Sequence, residues 1–211
     1  MSAADHKGQE QQTVYVVDDD PSARDSLCWL LATEDLASSA YESAETFLDH
    51  WRGEWSGCIL VDVRMPGKSG LQLQEELNAR NNRMPVIVLT GHADVPIAIR
   101  AMKQGAYDFL EKPYSDDELL SSVKSALEQE REIISAETEK TRAARALEDL
   151  TERENEVMRL VVAGKTNKVI GVQLGISEKT VEIHRSRVME KTGAGSLSEL
   201  VRICLLLEAR D

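Results

Sequence analysis

The sequence predicts an α/β fold: a doubly wound, five-stranded parallel sheet joined by a long helix to a small all-α domain. Three observations predict it. Between residues 13 and 127 short apolar runs alternate with helical patterns five times, which reads as a parallel sheet covered on both faces. From Ser115 no Gly or Pro interrupts the chain before Gly164, so one helix outruns the last strand. After Leu147 every pattern is helical.

The elements follow in order. The run Thr13–Val17 (TVYVV) opens the sheet and ends in Asp18-Asp19-Asp20-Pro21. Asp20 as N-cap and Pro21 at the first helical position start a helix through about Thr33, since the N–H that proline lacks would be unpaired there anyway. Further strands are expected at 37–41, 58–61, 86–89 and 107–110, with helices near 43–52, 69–80 and 94–104. Ser115 and Glu118 fit a capping box for the next helix. Along it Leu120, Val123, Leu127, Ile134 and Ala144 keep a 3–4 spacing, interrupted by Glu130, Glu137 and Thr141. Two readings stand: a long helix whose charges face water, or a coiled coil paired through Leu127 and Ile134. Either makes a semi-rigid spacer. Thr151 with Glu154 forms a second capping box, opening a helix that ends near Gly164. Helices at 166–174, 178–191 and 196–208 complete the chain, with Gly175-Ile176-Ser177 as a tight turn. The expected domains are 13–127, a helical linker at 128–147, and 148–211.

Composition narrows the class. Hydrophobic residues make up 42% and charged residues 29%, an ordinary globular balance that excludes collagen-like and wholly disordered chains. The longest apolar run, residues 203–207, is far short of the ~18–20 residues of a membrane span. The polar start MSAADHKGQEQQ has no secretory h-region. Cys28, Cys58 and Cys204 are unpatterned, which favours free thiols over a disulfide scaffold. A soluble cytoplasmic protein with no membrane partner is expected. The net charge of −12 divides as −10 over residues 1–127, −3 over 128–150 and +1 over 151–211. An acidic head joined to a much less acidic tail points to two jobs.

In an open parallel sheet ligands sit beyond the carboxyl ends of the strands. Those ends deliver Asp18 and Asp19, then Asp62, then Thr90, then Lys112 before Pro113. A hard divalent cation needs oxygen ligands, and Mg²⁺ keeps several waters beside one or two carboxylates. Phosphoryl transfer needs a nucleophile, a metal and fixed positive charge for the equatorial oxygens. Each residue alone is more often a cap or a solvated charge, as Asp20 is expected to be. Together, in order and at four strand ends, they read as one phosphoryl-transfer site. Asp18-x-Asp20 also superficially fits a haloacid-dehalogenase-like phosphatase with Asp18 as nucleophile. That motif continues with Gly-Thr, where this chain has Pro21-Ser22. His6, His50, His92 and His184 are scattered and no G-x-S-x-G appears, which disfavours Ser, Cys or His catalysis.

The segments VVDDDPSARDSL, ILVDVRMPGKSGL, VIVLTGHADV and AYDFLEKPY resemble the motifs of two-component receiver domains over roughly residues 13–127. The resemblance implies a flavodoxin-like receiver fold with Asp62 as phosphoacceptor from a cognate histidine kinase. It implies Mg²⁺ (or Mn²⁺) held by Asp19, Asp62 and the Arg64 backbone carbonyl, with Asp18 acting largely through water. Lys112 would pair with the phosphoryl oxygens and Thr90 would donate its hydroxyl to one of them. Phe109 occupies the family's rotating aromatic position, and Lys112-Pro113 its usual cis peptide. Thr90 and Phe109 would form the switch, repacking a surface around Ile97, Met102 and Phe109 that pairs with a second copy. No enzymatic role beyond self-phosphorylation and self-dephosphorylation at Asp62 is implied.

The stretch LTERENEVMRLVVAGKTNKVIGVQLGISEKTVEIHRSRVMEKTGAGS resembles the LuxR-type helix-turn-helix. With such a receiver the whole looks like a response regulator of the FixJ/NarL class, a phosphorylation-dependent transcriptional regulator that binds promoter DNA as a homodimer. On the helix at 178–191, Val181 and Val188 face the scaffold. His184 shares their face, as a half-buried structural histidine or as a DNA contact. The opposite face offers Lys179, Glu182, Ile183, Ser186 and Arg187 to base edges. Arg185 and Lys191 suit phosphates, as do Thr166, Asn167 and Lys168 at a helix start. Val169 and Gly171 depart from the family's usual Glu and Ala, and Gly inside a helix costs ~1 kcal/mol against Ala. The competing reading is a signalling adaptor or phosphate sink whose tail dimerises without binding DNA.

Overall fold

A computed structural model describes residues 12–91 and 95–208. The N-terminal segment through Gln11 and the His92-Ala93-Asp94 part of the third motif, where the 94–104 helix was expected to begin, lie outside the described residues. The chain divides into two compact units, one ending at Glu132 and the other starting at Ile133.

In the first unit β1 (Thr13–Val17), β2 (Ser38–Tyr41), β3 (Gly57–Asp62), β4 (Val86–Thr90) and β5 (Asp108–Glu111) form a parallel sheet in the order β2-β1-β3-β4-β5. The chain steps outward from β1 to β2 and returns to β3, so the strand order reverses between β1 and β3. That is the crevice where open α/β sheets bind ligands. The helices are α1 (Pro21–Thr33), α2 (Ala44–His50), α3 (Gly70–Ala79), α4 (Val95–Lys103) and α5 (Asp116–Glu148). Alternate strand residues face opposite cores. Tyr15, Val17, Ile59, Val61, Val86 and Val88 pack against Phe47 of α2 and Leu73 and Leu77 of α3. Val14, Val16, Leu60, Ile87 and Leu89 pack against Leu27 and Leu31 of α1 and Leu119, Val123 and Leu127 of α5.

Caps fix the helix starts as the sequence reads. Asp20 accepts from the Ser22 N–H with Pro21 next in line, and Ser115 accepts from the Glu118 N–H at 3.2 Å. Two expectations for α5 are corrected. Leu127 is buried in the first unit's core, so it is not free to pair with a second chain. Glu130 does not face water: it is 2% exposed, and its carboxylate accepts from Gln12 Nε2 at 2.6 Å and Ser56 Oγ at 3.1 Å. Gln12 Nε2 also donates to the Leu127 carbonyl at 2.8 Å, and Arg131 donates to Gln12 Oε1 at 3.0 Å. The buried carboxylate is tolerated because it is hydrogen-bonded.

The second unit holds α6 (Glu152–Val162), α7 (Asn167–Leu174), α8 (Glu178–Thr192) and α9 (Leu197–Glu208). Val157, Val161, Ile170, Val181, Val188 and Leu200 make its core. Gly175 ends α7 at φ +66°, the left-handed conformation a tight turn needs. Ser177 then caps α8 through the Thr180 N–H.

Candidate functional site

Strand ends build the acidic edge of the first unit. Asp18 follows β1 directly, and its N–H bonds the Tyr41 carbonyl of β2 at 3.2 Å. Asp62 closes β3, held between β1 and β4. The β4–β5 pairing extends past its last register pair, Thr90 with Glu111, through Lys112 N–H to the Thr90 carbonyl at 2.7 Å. The next bond, Lys112-Pro113, is cis.

The three side chains meet. Lys112 Nζ lies 2.9 Å from Asp18 Oδ2 and 2.7 Å from Asp62 Oδ1. Asp18 Oδ1 accepts from the Asp20 N–H at 2.9 Å, and Asp62 Oδ2 from the Arg64 N–H at 2.6 Å. Both carboxylates are buried, whereas Asp19 is exposed. Burial alone would lower the Lys112 pKa, but the hydrogen bonds it donates to Asp62 and Asp18 outweigh it and hold the ammonium above the ordinary lysine range. Its charge therefore persists at any physiological pH. Thr90 is fully buried at the same edge. Phe109, beside Val88 in the β4–β5 register, is half-buried against the α2–α3–α4 core.

The donors suit Mg²⁺: they are hard oxygens, and an ion that keeps its waters needs only one or two carboxylates. Among the described residues no group of three or more His, Cys, Asp and Glu is arranged to hold a metal.

In the second unit Lys179, Glu182, Ile183, Ser186 and Arg187 of α8 are exposed together, while Val181 and Val188 face the core. His184 is half-buried, and its buried Nδ1 has no hydrogen-bond partner among the described residues. Thr166 and Lys168 are exposed at the start of α7, where Thr166 makes no side-chain cap bond. Arg185 donates to Asn167 Oδ1 at 2.9 Å, joining α8 to the first residue of α7. Lys191 departs from the expected phosphate role. It is exposed, and its Nζ is bound to Glu154 Oε2 at 2.7 Å and the Asp149 carbonyl at 3.1 Å.

Sequence reasoning missed Arg24, which donates from α1 to the Asp18 carbonyl at 2.6 Å. It also missed Glu45 of α2, whose carboxylate accepts from the Lys68 N–H at 3.0 Å in the loop after β3. Arg24 had a signal: the Asp20-Pro21 start fixes the helical register and leaves a cation one turn in, beside the acidic run. Glu45 had none, because its partner is twenty-three residues away in sequence.

Comparison with known proteins agrees with this architecture. Residues 14–124 match the response regulator receiver domain, and residues 148–204 match the luxR family of bacterial regulatory proteins. The transcriptional regulatory protein FixJ of Azorhizobium caulinodans is 47% identical over 197 residues, covering 93% of each chain. The C4-dicarboxylate transport transcriptional regulatory protein DctR of Rhodobacter capsulatus is 43% identical, covering 90% of this chain and 98% of that one. Among solved structures, the response regulator StyR is 39% identical with a TM-score of 0.83, covering 92% of this chain and 98% of that one. Full-length FixJ from B. japonicum is 39% identical with a TM-score of 0.60, covering 96% and 100%. These relatives favour neither a phosphatase nor an adaptor without DNA binding. Receiver domains bind Mg²⁺ at their phosphorylation site and imply a histidine kinase, and a LuxR-type domain implies DNA. Among the described residues no helix is long and apolar enough to cross a membrane. With a receiver ahead of a LuxR-type helix-turn-helix and regulators of transcription as its relatives, the chain belongs to the two-component response regulators of the FixJ/NarL class.

Proposed function

We propose that Asp62 accepts a phosphoryl group from a cognate histidine kinase and that this modification switches DNA binding in the cytoplasm. The observation that carries the reading is the Lys112 ammonium bonded to both Asp18 and Asp62 at the edge where strand order reverses. Asp62 Oδ1 attacks the phosphorus of the kinase phosphohistidine, whose P–N bond breaks to release the imidazole, while the Arg64 N–H keeps the other carboxylate oxygen in place. Lys112 offers the charge that the phosphoryl oxygens need, and Thr90 a hydroxyl from the neighbouring strand end. Asp19, Asp62 and the Arg64 carbonyl would hold Mg²⁺ with Asp18 behind a water, and the ion would neutralise charge on the transferred group. Apart from this self-phosphorylation and its hydrolysis the chain carries no proposed enzymatic activity.

A new aspartyl phosphate adds about −1.5 to −2 charge beside Thr90 and Lys112. Thr90 and Phe109 then reset the surface of α4, which pairs with a second copy. The large apolar residues exposed on that helix are Val95, Ile99 and Met102, whereas Ile97 packs on the core. Two copies place two α8 helices on tandem half-sites. Lys179, Glu182, Ile183, Ser186 and Arg187 face base edges, and Thr166, Asn167, Lys168 and Arg185 hold phosphate. Lys191 is left out of this set.

The test is phosphorylation by acetyl phosphate with Mg²⁺. Wild-type protein should take up one acid-labile phosphate and Asp62→Asn none, because Asn keeps the shape but lacks the nucleophile. Stoichiometric labelling of Asp62→Asn would overturn the assignment.

A further inference from the structure

We propose that Arg24 is a positioning residue for phosphorylation, holding Asp18 in the orientation that the metal-dependent reaction uses. This rests on the reading of Asp62 as phosphoacceptor. Val17 is the last register pair of β1 with β2, and although Asp18 still donates its N–H to Tyr41, no strand bond to the Asp18 carbonyl is found among the described residues. Arg24 supplies a partner: its guanidinium reaches back from α1 and donates to that carbonyl at 2.6 Å. The same residue's backbone N–H bonds the Asp20 carbonyl at 3.1 Å, so Arg24 grips the turn at two points. Between them Asp20 donates its N–H to Asp18 Oδ1 at 2.9 Å, and Asp20 Oδ1 accepts from the Ser22 N–H at 2.9 Å. The turn from 18 to 24 is thereby closed into a ring of hydrogen bonds with the Asp18 carboxylate aimed inward.

The electrostatics give the grip a purpose. Asp18, Asp19 and Asp20 are consecutive, and Asp62 lies across the crevice, so the edge is strongly anionic before any ligand arrives. Lys112 is shared between Asp18 and Asp62. When it turns to a phosphoryl group it can no longer orient Asp18. What remains on Asp18 is the backbone grip, in which Arg24 contributes the charge-assisted bond. A guanidinium at the carbonyl also places a second fixed cation by the carboxylates without competing for their metal-facing oxygens. Preorganisation of this kind lowers the reorganisation needed at the moment of reaction.

The experiment uses the full chain as wild type, Arg24→Met and Arg24→Lys. Methionine keeps the packing stem without a donor; lysine keeps a cationic donor. Labelling by acetyl phosphate is followed across Mg²⁺ concentrations, and melting temperature is measured with and without Mg²⁺ alone. Arg24→Met should raise the Mg²⁺ concentration for half-maximal labelling by about 10-fold, the size of one lost charge-assisted hydrogen bond. Its Mg²⁺-dependent melting shift should shrink in parallel, while labelling at saturating Mg²⁺ changes by less than ~2-fold. Arg24→Lys should recover most of the midpoint. An unchanged midpoint in Arg24→Met, with wild type labelled normally, overturns the role of Arg24 alone. So does a rise in midpoint matched by an equal loss of plateau, with a lower metal-free melting temperature and no rescue by lysine, which marks a structural turn residue. If wild type takes no label, the Asp62 reading fails and Arg24's role falls with it.

Discussion

Glu154 closes a capping box with Thr151 at the start of α6 and binds Lys191 from the end of α8. The Lys191 hydrogen bond, followed by that of the Thr151 backbone, lowers its pKa from 4.5 to about 2. A depressed folded pKa means the stabilisation is present above the unfolded value and disappears as pH falls through the folded one. The second unit should therefore lose stability between about pH 4.5 and 2. Lys191→Met should lower its melting temperature at neutral pH, make no difference below about pH 2, and return the Glu154 pKa upward by carboxyl NMR titration. Gly171 invites a second substitution. An alanine there improves helix propensity by ~1 kcal/mol, which on sequence alone predicts a stronger α7. Its Cβ would meet the Ile176 carbonyl oxygen at 2.8 Å, and that is backbone in the turn before α8. Gly171 also accepts the Ile176 N–H at 3.0 Å, so the two segments are already in contact. Overpacking of about 1–3 kcal/mol exceeds the propensity gain, so Gly171→Ala should lower stability by roughly 1 kcal/mol in chemical denaturation. A gain would mean that the turn yields.

At the scale of elements, α4 separates two kinds of apolar residue that the sequence lists alike. Ile97 packs on the core, while Val95, Ile99 and Met102 are at least half-exposed. Ile99→Lys should leave the fold intact and weaken the phosphorylated dimer at least ~10-fold by sedimentation, a change of ~1.4 kcal/mol. Ile97→Lys should instead lower the melting temperature of the unphosphorylated protein. Dimerisation of phosphorylated Ile99→Lys at wild-type strength would remove α4 from the interface. The sheet and its helices were legible in the sequence because period and caps are local signals. Asp20-Pro21, Ser115 and Thr151-Glu154 marked helix starts to within a residue. The strand-end residues Asp18, Asp62 and Lys112 were legible for the same reason. What lay hidden depends on tertiary pairing. Glu130 looks like a solvated charge until Gln12 and Ser56 are brought to it from over seventy residues away. Lys191 looks like one more cation on a reading helix until Glu154 is brought beneath it.

For the whole molecule, the division of labour between holding and reading DNA should appear in salt dependence. Lys168→Ala should weaken binding to all sequences and reduce the salt slope by about one unit. Arg187→Ala should cost ~1–3 kcal/mol on the true site and relax preference at one position. Lys191→Ala should leave the salt slope unchanged, because that ammonium belongs to the scaffold. Gel shifts over a series of salt concentrations distinguish the three, and an altered slope for Lys191→Ala would return it to the interface. The Glu130 cluster bears on how such a chain can exchange heads and tails with its relatives. Gln12, ahead of β1, and Ser56, ahead of β3, both reach a carboxylate that lies beyond residue 127. A recombinant seam cut at 127 would hand that carboxylate to a foreign helix, leaving a hydroxyl and an amide without their partner in the head. A seam at 133 carries the whole latch with the head, so hybrid regulators joined there should keep their native melting temperature while those joined earlier should not.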